Sequence, residues 1–361
     1  VPREQYSLQE ILKIVAPLAI SFKASEALAQ ASNDPLHSEV SKEDSEFSSV
    51  RARDFLSGSQ VIFDLYVRLG NGKYLKLLQA GDAFTVERLE GYLEKGVTHF
   101  YLRKETQEEY LRFCDHLASS ILKIQKVPLH VQTAQILNHG EQVMGFFQNQ
   151  GLSPLNMDYA KKFLANVGEL LKRMDLEGNE LFEGFFQDVA AYEHGVGTTM
   201  LASVLAEYLE IQMDKPLQIV GVAGMFHDIG LQELPEALRD EGRIGMGGSL
   251  SPQERILYQS HPKRGGEILS RLRGIEAGAI QAVEQHHMRT RGPGFPERNG
   301  IAPMNRVAEM IGISDEMNLL LKRKQADPSV EILMELERKV FPNFSRQITY
   351  AFRTAFFPRS T

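Results

Sequence analysis

A single cysteine, Cys114, in 361 residues leaves no partner for an internal disulfide and rules out a zinc site built on several thiolates. Tryptophan is absent, and there is no basic excess: 47 acidic against 40 basic residues give a formal net charge of −7. General nucleic-acid and acidic-membrane binders carry broad basic surfaces, so neither DNA nor RNA is an expected partner, and any anionic ligand must be met locally. Long apolar runs are missing too. Residues 11–22 are interrupted by Lys13 and residues 217–226 are too short, so no membrane-spanning segment is expected. The sequence as given shows no secretory pattern, and a cytoplasmic location is the simplest expectation. Neither a low-complexity tract nor a repeat of solenoid period is present.

The apolar content, 43%, suits a globular chain, and the length suggests two or three domains. Residues 1–50 read as an N-terminal helix, "SLQEILKIVAPLAISF", followed by a polar linker over 31–49 whose acidic composition cannot support a core. Residues 51–150 read as a small α/β input domain with connecting helices. "QVIFDLYVRL", "KYLKLL" and "THFYLR" are strand-like, with the turn "GNG" and the helical "TVERLEGYLEKG" between them. From Glu105 the period becomes helical, with Tyr110, Phe113, Leu117, Ile121 and Ile124 three or four apart. Residues 151–361 continue as helices, and the predicted fold class is mainly α.

Five of the ten histidines fall between 194 and 287. His194 lies on the apolar face of the predicted helix "DVAAYEHGVGTTMLASVLAEYL"; alone, it would read as a hydrogen-bonded core residue. His227 and Asp228 end the apolar run "VAGMF", His261 opens "HPKRGGEIL", His286 and His287 end "GIEAGAIQAVEQ", and Asp315 interrupts "RVAEMIGISDEMNLLL". Burying so many ionisable groups is costly. Neutral imidazoles and carboxylates are the ligand set of borderline divalent metals, and coordination is one of the few interactions that repay such burial.

This ordered series, His194, the pair in "HDIG", His261 in "HPKRG", the doublet and Asp315, resembles that of the HD superfamily of metal-dependent phosphohydrolases. "HHMRTRGPGFP" resembles the "HHExxDGxGYP" signature of its HD-GYP branch, with Gly292, Gly294 and Pro296 in register. The region from Val61 to Lys104 is loosely similar to an input region found before some HD-GYP modules. The resemblance implies an all-α HD-type helical bundle over residues 151–361, holding two divalent metals, iron before manganese or zinc. It also implies hydrolysis of the bacterial second messenger cyclic di-GMP by water activated between the metals. Carried over, His194, His227 and Asp315 hold one metal and His261, His286 and His287 the other. Asp228 bridges them as the catalytic carboxylate. Ala190 stands where some members place a glutamate for a third metal, so two are expected.

Four family positions differ. Leu231 replaces the lysine that follows "HDIG", Met288 the glutamate, Arg291 the aspartate and Phe295 the tyrosine of the signature. Metal binding reads as intact, and substrate handling as altered. Between Met288 and Arg306, four arginines stand against Glu297 alone. Read as a phosphate clamp, Arg289 and Arg291 are joined by Lys263 and Arg264, with Arg298, Arg306, Arg323 or Lys324 nearby; the alternative is a solvated loop. Residues 239–252 read as a glycine-rich surface loop or lid ending in a capping box at "SPQE". Cys114, His99 and His116 read as structural. Three functions remain in view: a slow cyclic di-GMP phosphodiesterase, an impaired relative that senses a cyclic dinucleotide or engages a signalling protein, and a general HD nucleotidase. A homodimer through the helices of 105–148 is compatible with each.

Overall fold

The strand-forming residues over 47–103 build a sheet buried on both sides, with Val50, Leu65, Phe100 and Leu102 in the main core and Phe47, Tyr66 and Tyr74 in a second cluster, and the 3.6-residue periods that follow build helices. A computed structural model describes residues 11, 13–19, 44–55, 60–154, 156–174, 182–211, 215–239, 250–297 and 304–357. The chain divides into two compact units, Val1–Gly151 and Leu152–Thr361. No described helix is long and apolar enough to cross a membrane.

The first unit holds an antiparallel sheet of four strands, β1 (Phe47–Arg51), β2 (Leu65–Arg68), β3 (Tyr74–Leu78) and β4 (His99–Arg103), in the order β1-β4-β2-β3. The predicted strands are present, each shorter than its apolar run. Strand β1 corrects the reading of residues 31–49 as linker throughout. Phe47 stacks on Tyr74 at 3.9 Å, and the strand pairs along its length with β4, so partners remote in sequence supply what local composition lacks. The earlier linker residues, 31–43, lie outside the described residues. Helix α1 (Val86–Glu94) begins where Thr85 accepts a bond from Arg88 N at 3.3 Å. Helices α2 (Gln107–Ile121) and α3 (Leu129–Gln150) complete the unit. Tyr110, Phe113, Leu117 and Ile121 all face its core, together with Ile11, Val15 and Ala19. Cys114 is buried, which pushes its thiol up to about 12 and leaves it inert at neutral pH. His116 is tied to Leu18 O at 3.2 Å.

The second unit is helical: α4 (Met157–Leu171), α5 (Phe182–Ala191), α6 (His194–Tyr208), α7 (Pro216–Phe226), α8 (Pro252–Tyr258), α9 (His261–Ser270), α10 (Ala277–Gln285), α11 (Arg306–Ala326), α12 (Ile332–Glu335) and α13 (Arg346–Phe356). The single helix expected across His194 is broken. Glu193 leaves helical geometry and its side chain accepts from Val196 N at 3.1 Å, so α6 starts at His194 and the imidazole sits at a helix N-terminus. The capping box at Ser251 and Glu254 is present with Pro252 at the first helical position. The glycine-rich stretch before it, 240–249, lies outside the described residues.

Candidate metal centre

Helix ends deliver the site. The apolar helix α7 is buried from Val220 to Phe226, and His227 caps its C-terminus with Asp228 next in line. A short 3-10 turn, Ile229–Glu233, packs against α9, where Gly230 lies so close that a Cβ would collide with the His261 carbonyl. His261 opens α9, His286 caps α10 with His287 following, and Asp315 lies mid-way along α11. His227, His261 and His286 are fully buried and Asp315 is 1% exposed.

All seven sequence-predicted ligands converge. Asp228 Oδ1 lies 3.2 Å from His261 Nε2 and 3.5 Å from His286 Nε2, while its Oδ2 lies 3.4 Å from His227 Nε2. The ligand atoms of Asp228, His261, His286 and His287 form one group that could hold a metal ion, and those of His194, His227 and Asp228 form a second. Asp315 Oδ1 joins the second group, 2.9 Å from His194 Nε2 and 4.0 Å from His227 Nε2. Asp228 is common to both.

The tautomers fit a cation. The Nδ1 atoms of His227, His261 and His286 lie 2.7, 2.8 and 2.6 Å from the carbonyls of Gly224, Tyr258 and Val283. Carbonyls only accept, so each Nδ1 carries the proton and each Nε2 turns a lone pair inward, the second contact shell usual for metal-binding histidines. His261 Nε2 and His286 Nε2 are 3.3 Å apart. Two lone pairs at that range repel unless a cation lies between or beside them. His227 Nε2 and Asp315 Oδ2 are buried without a hydrogen-bond partner, the kind of unsatisfied polar atom that a bound ion explains. His194 is held differently: Asn318 Nδ2 donates to its carbonyl at 2.8 Å and lies 3.1 Å from its Nδ1, and its Nε2 faces Asp315 Oδ1 at 2.9 Å.

Burial lowers the His286 imidazole to about 4, and it lowers His287 well below the usual range, with His286, His261 and Arg289 adding to the effect. Both are therefore neutral near pH 7 and available as ligands. Burial alone would lower His227 too, but Asp228 and Asp315 outweigh it and raise the group. Burial would raise the Asp315 carboxyl; its bond to His194 and the nearness of His227 hold it below the ordinary carboxylate range.

The expected phosphate clamp is only partly available. Arg289 is a correction: its guanidinium is enclosed, donating to His286 O at 2.9 Å, Met288 O at 3.1 Å and Glu316 Oε1 at 2.7 Å, with the Phe344 ring 4.8 Å away. Arg264 binds Ser260 Oγ at 2.9 Å and Glu233 Oε2 at 3.3 Å, and the Lys263 side chain is 82% exposed beside Glu267. Arg291 has an exposed side chain, while its backbone N–H donates to Asn343 O. Arg323 pairs with Glu335 and Lys324 with Val330 O. Arg298 lies outside the described residues.

Sequence reasoning missed Tyr258, Glu316 and Asn318. Glu316 and Asn318 lie one and three residues beyond Asp315, so a helical projection from that ligand would have marked them. Leu231 is buried in an apolar cluster with Leu234, Leu238 and Tyr258, against which Phe295 also packs. Phe295 in turn lies 4.3 Å from His287 at 30°.

Residues 187–330 match the HD domain family. No curated protein matches the sequence. Among solved structures, Bd1817, an HDG"Y"P protein from Bdellovibrio bacteriovorus, shares the fold with a TM-score of 0.59 at 19% identity, over 85% of this chain and 98% of that one.

Proposed function

We propose that this chain, whose residues 187–330 match the HD domain family and which shares the fold of an HD-GYP protein, is a metal-dependent phosphodiesterase that hydrolyses cyclic di-GMP slowly. The observation that carries this reading is the shared carboxylate: Asp228 stands within 3.5 Å of imidazole nitrogens from both ligand groups. His194, His227 and Asp315 would hold one ion and His261, His286 and His287 the other, with iron the first choice. Two such ions supply Lewis acidity, lowering the pKa of water and clamping a phosphoryl oxygen. The protein's own part is orientation. Helix-end carbonyls fix three imidazoles with their lone pairs inward, and neutral His286 and His287 donate without first shedding a proton. No side-chain nucleophile is required.

Slow turnover follows from Leu231, which leaves the leaving oxygen without the family's lysine. The same residue supports a second reading, a cyclic-dinucleotide sensor, because the apolar packing of Leu231 and Phe295 puts no cation where that lysine would stand. A single-turnover assay with cyclic di-GMP, anaerobic and with Fe(II) or Mn(II) supplied, separates them. Linear dinucleotide or GMP appearing with metal and not with chelator is expected. Tight binding with no product over days would replace the phosphodiesterase by the sensor.

A further inference from the structure

We propose that Arg289 and Glu316 form a strut that sets the spacing of the two ligand groups, and that both are positioning residues for metal binding. The inference rests on the metal-centre reading and adds to it a part for two residues outside the ligand set. His286 and His287 leave α10 at a turn with little regular structure of its own, and Asp315 sits on α11, so something must hold the turn against that helix. Arg289 spans the gap. One arm of its guanidinium, Nη1, donates to the carbonyl of His286 itself at 2.9 Å, and the other, Nη2, donates to Glu316 Oε1, next to Asp315, at 2.7 Å. A planar fork presents its donors to both acceptors in a fixed geometry.

The surroundings are shaped for this role. At Gly312, a turn before Glu316, a Cβ would collide with the His286 carbonyl and lie 3.2 Å from Arg289 Nη1 and 3.4 Å from Phe344 Cε1. The bare glycine lets α11 approach the doublet closely, and the guanidinium fills the remaining space over the Phe344 ring. A separate tie fixes the far side of the turn, where Thr290 Oγ1 donates to buried Glu309 at 2.5 Å and Ser345 donates to the same carboxylate through its backbone N–H and its hydroxyl. The Arg289 side chain is 7% exposed, so a ligand phosphate has no access to it.

The test is Mn(II) titration of the metal-stripped full-length chain, followed by the loss of the free Mn(II) electron paramagnetic resonance signal and by the appearance of a coupled two-ion spectrum. Outer contacts of metal sites typically contribute about 10- to 100-fold in affinity. Glu316→Ala and Arg289→Met are each expected to weaken the second Mn(II) step about tenfold and to diminish the coupled spectrum. Glu316→Gln, which keeps the acceptor oxygen, should stay within about threefold of wild type, and the double variant Arg289→Met/Glu316→Ala should be no worse than either single one. The Glu316 side chain is 36% exposed, so the Gln and Ala pair decides the matter even if Arg289→Met does not fold. Gln as weak as Ala would assign the effect to charge and overturn the strut. Additive losses, or a lowered melting temperature with unchanged Mn(II) affinity, would overturn it too. A wild-type chain that takes up neither Mn(II) nor Fe(II) would instead remove the metal-centre reading, whereas a loaded wild type with unaffected variants removes only the strut.

Discussion

Leu231→Lys, which restores the family letter, is expected to destabilise the helical unit even if it improves the chemistry. Leu231 is 6% exposed and packs with Leu234, Leu238 and Tyr258. Losing a buried leucine's packing costs about 2–5 kcal/mol, and an ammonium in apolar surroundings adds to that. Leu250, Leu257 and Phe295 are only partly buried at the cluster's edge, so the lysine stem can stay among them while its charge reaches out. A net loss of about 3 kcal/mol follows, which for a unit of roughly 200 residues lowers the melting temperature by roughly 6–12 °C. The assay is thermal unfolding of wild type, Leu231→Lys and Leu231→Met, the last a nearly isosteric control expected to lose less than about 1.5 kcal/mol. Unchanged stability in Leu231→Lys would refute the packing reasoning.

Single turnover on the same proteins, matched in metal content, gives a second readout. A fixed cation near developing charge stabilises a transition state by a few kcal/mol, roughly ten- to a thousandfold in rate. Leu231→Lys is therefore expected to convert cyclic di-GMP faster than wild type at similar affinity. Phe295→Tyr, which adds no charge, is expected to leave the rate nearly unchanged. A Leu231→Lys protein that binds metals and ligand yet forms no product would rule out the phosphodiesterase.

Elemental analysis of protein purified anaerobically without chelator should find about two metals per chain, His286→Ala should lose one and Asp228→Ala should disturb both; a wild-type count near zero would refute the paired site. Arg291→Ala is expected to weaken cyclic-dinucleotide binding, more at low salt, with unchanged metal content, and unchanged affinity in calorimetry would return it to a solvated loop. In the metal-free chain, burial holds folded His286 at about 4 while the unfolded residue titrates near 6.5, so the unfolded state binds the extra proton between these values. Stability is then full above about pH 6.5 and falls by about 3 kcal/mol on acidification toward pH 4. His287 acts in the same direction, whereas raised His227 acts in the opposite one above pH 6.5, its contribution complete below that pH and lost as pH rises. Urea unfolding that shows the chelated protein more stable at pH 5 than at pH 6.5 would contradict this.

The candidate ligand series was legible because His227, Asp228 and Asp315 interrupt apolar runs, and because the remaining histidines follow in one order along the same helical stretch. Asp228 between His227 and His261 is the clearest case. What the sequence could not convey was direction. Arg289 and Arg291 are two residues apart in one basic loop, yet Arg289 is buried against Glu316 and Arg291 is exposed. Only the approach of α11 at Gly312 separates them, and that is a tertiary fact. Strand β1 was hidden for the same reason, since its partner is about fifty residues away. The break at Glu193 was readable in principle: a carboxylate three residues before Val196 is a cap in form, masked by apolar periodicity running through it.

Leu231 and Phe295 looked like two independent departures from the signature, one a lost charge and the other a lost hydroxyl. The structure makes them one packing unit, because both pack with Tyr258, whose carbonyl fixes His261 and whose ring lies 4.9 Å from that imidazole. A lysine at 231 would carry its ammonium out past side chains that offer it no acceptor, unless a polar group at 295 or a ligand phosphate supplied one. A lone hydroxyl at 295 would meet the mirror problem against Leu231. Each change lowers the cost of the other. Energetic coupling between the two sites is therefore expected: the double variant Leu231→Lys/Phe295→Tyr should be more stable than the sum of the single losses allows, by about 0.5 kcal/mol or more. Urea unfolding of the four proteins measures it, and strictly additive losses would show that the two positions departed from the family pattern for unrelated reasons.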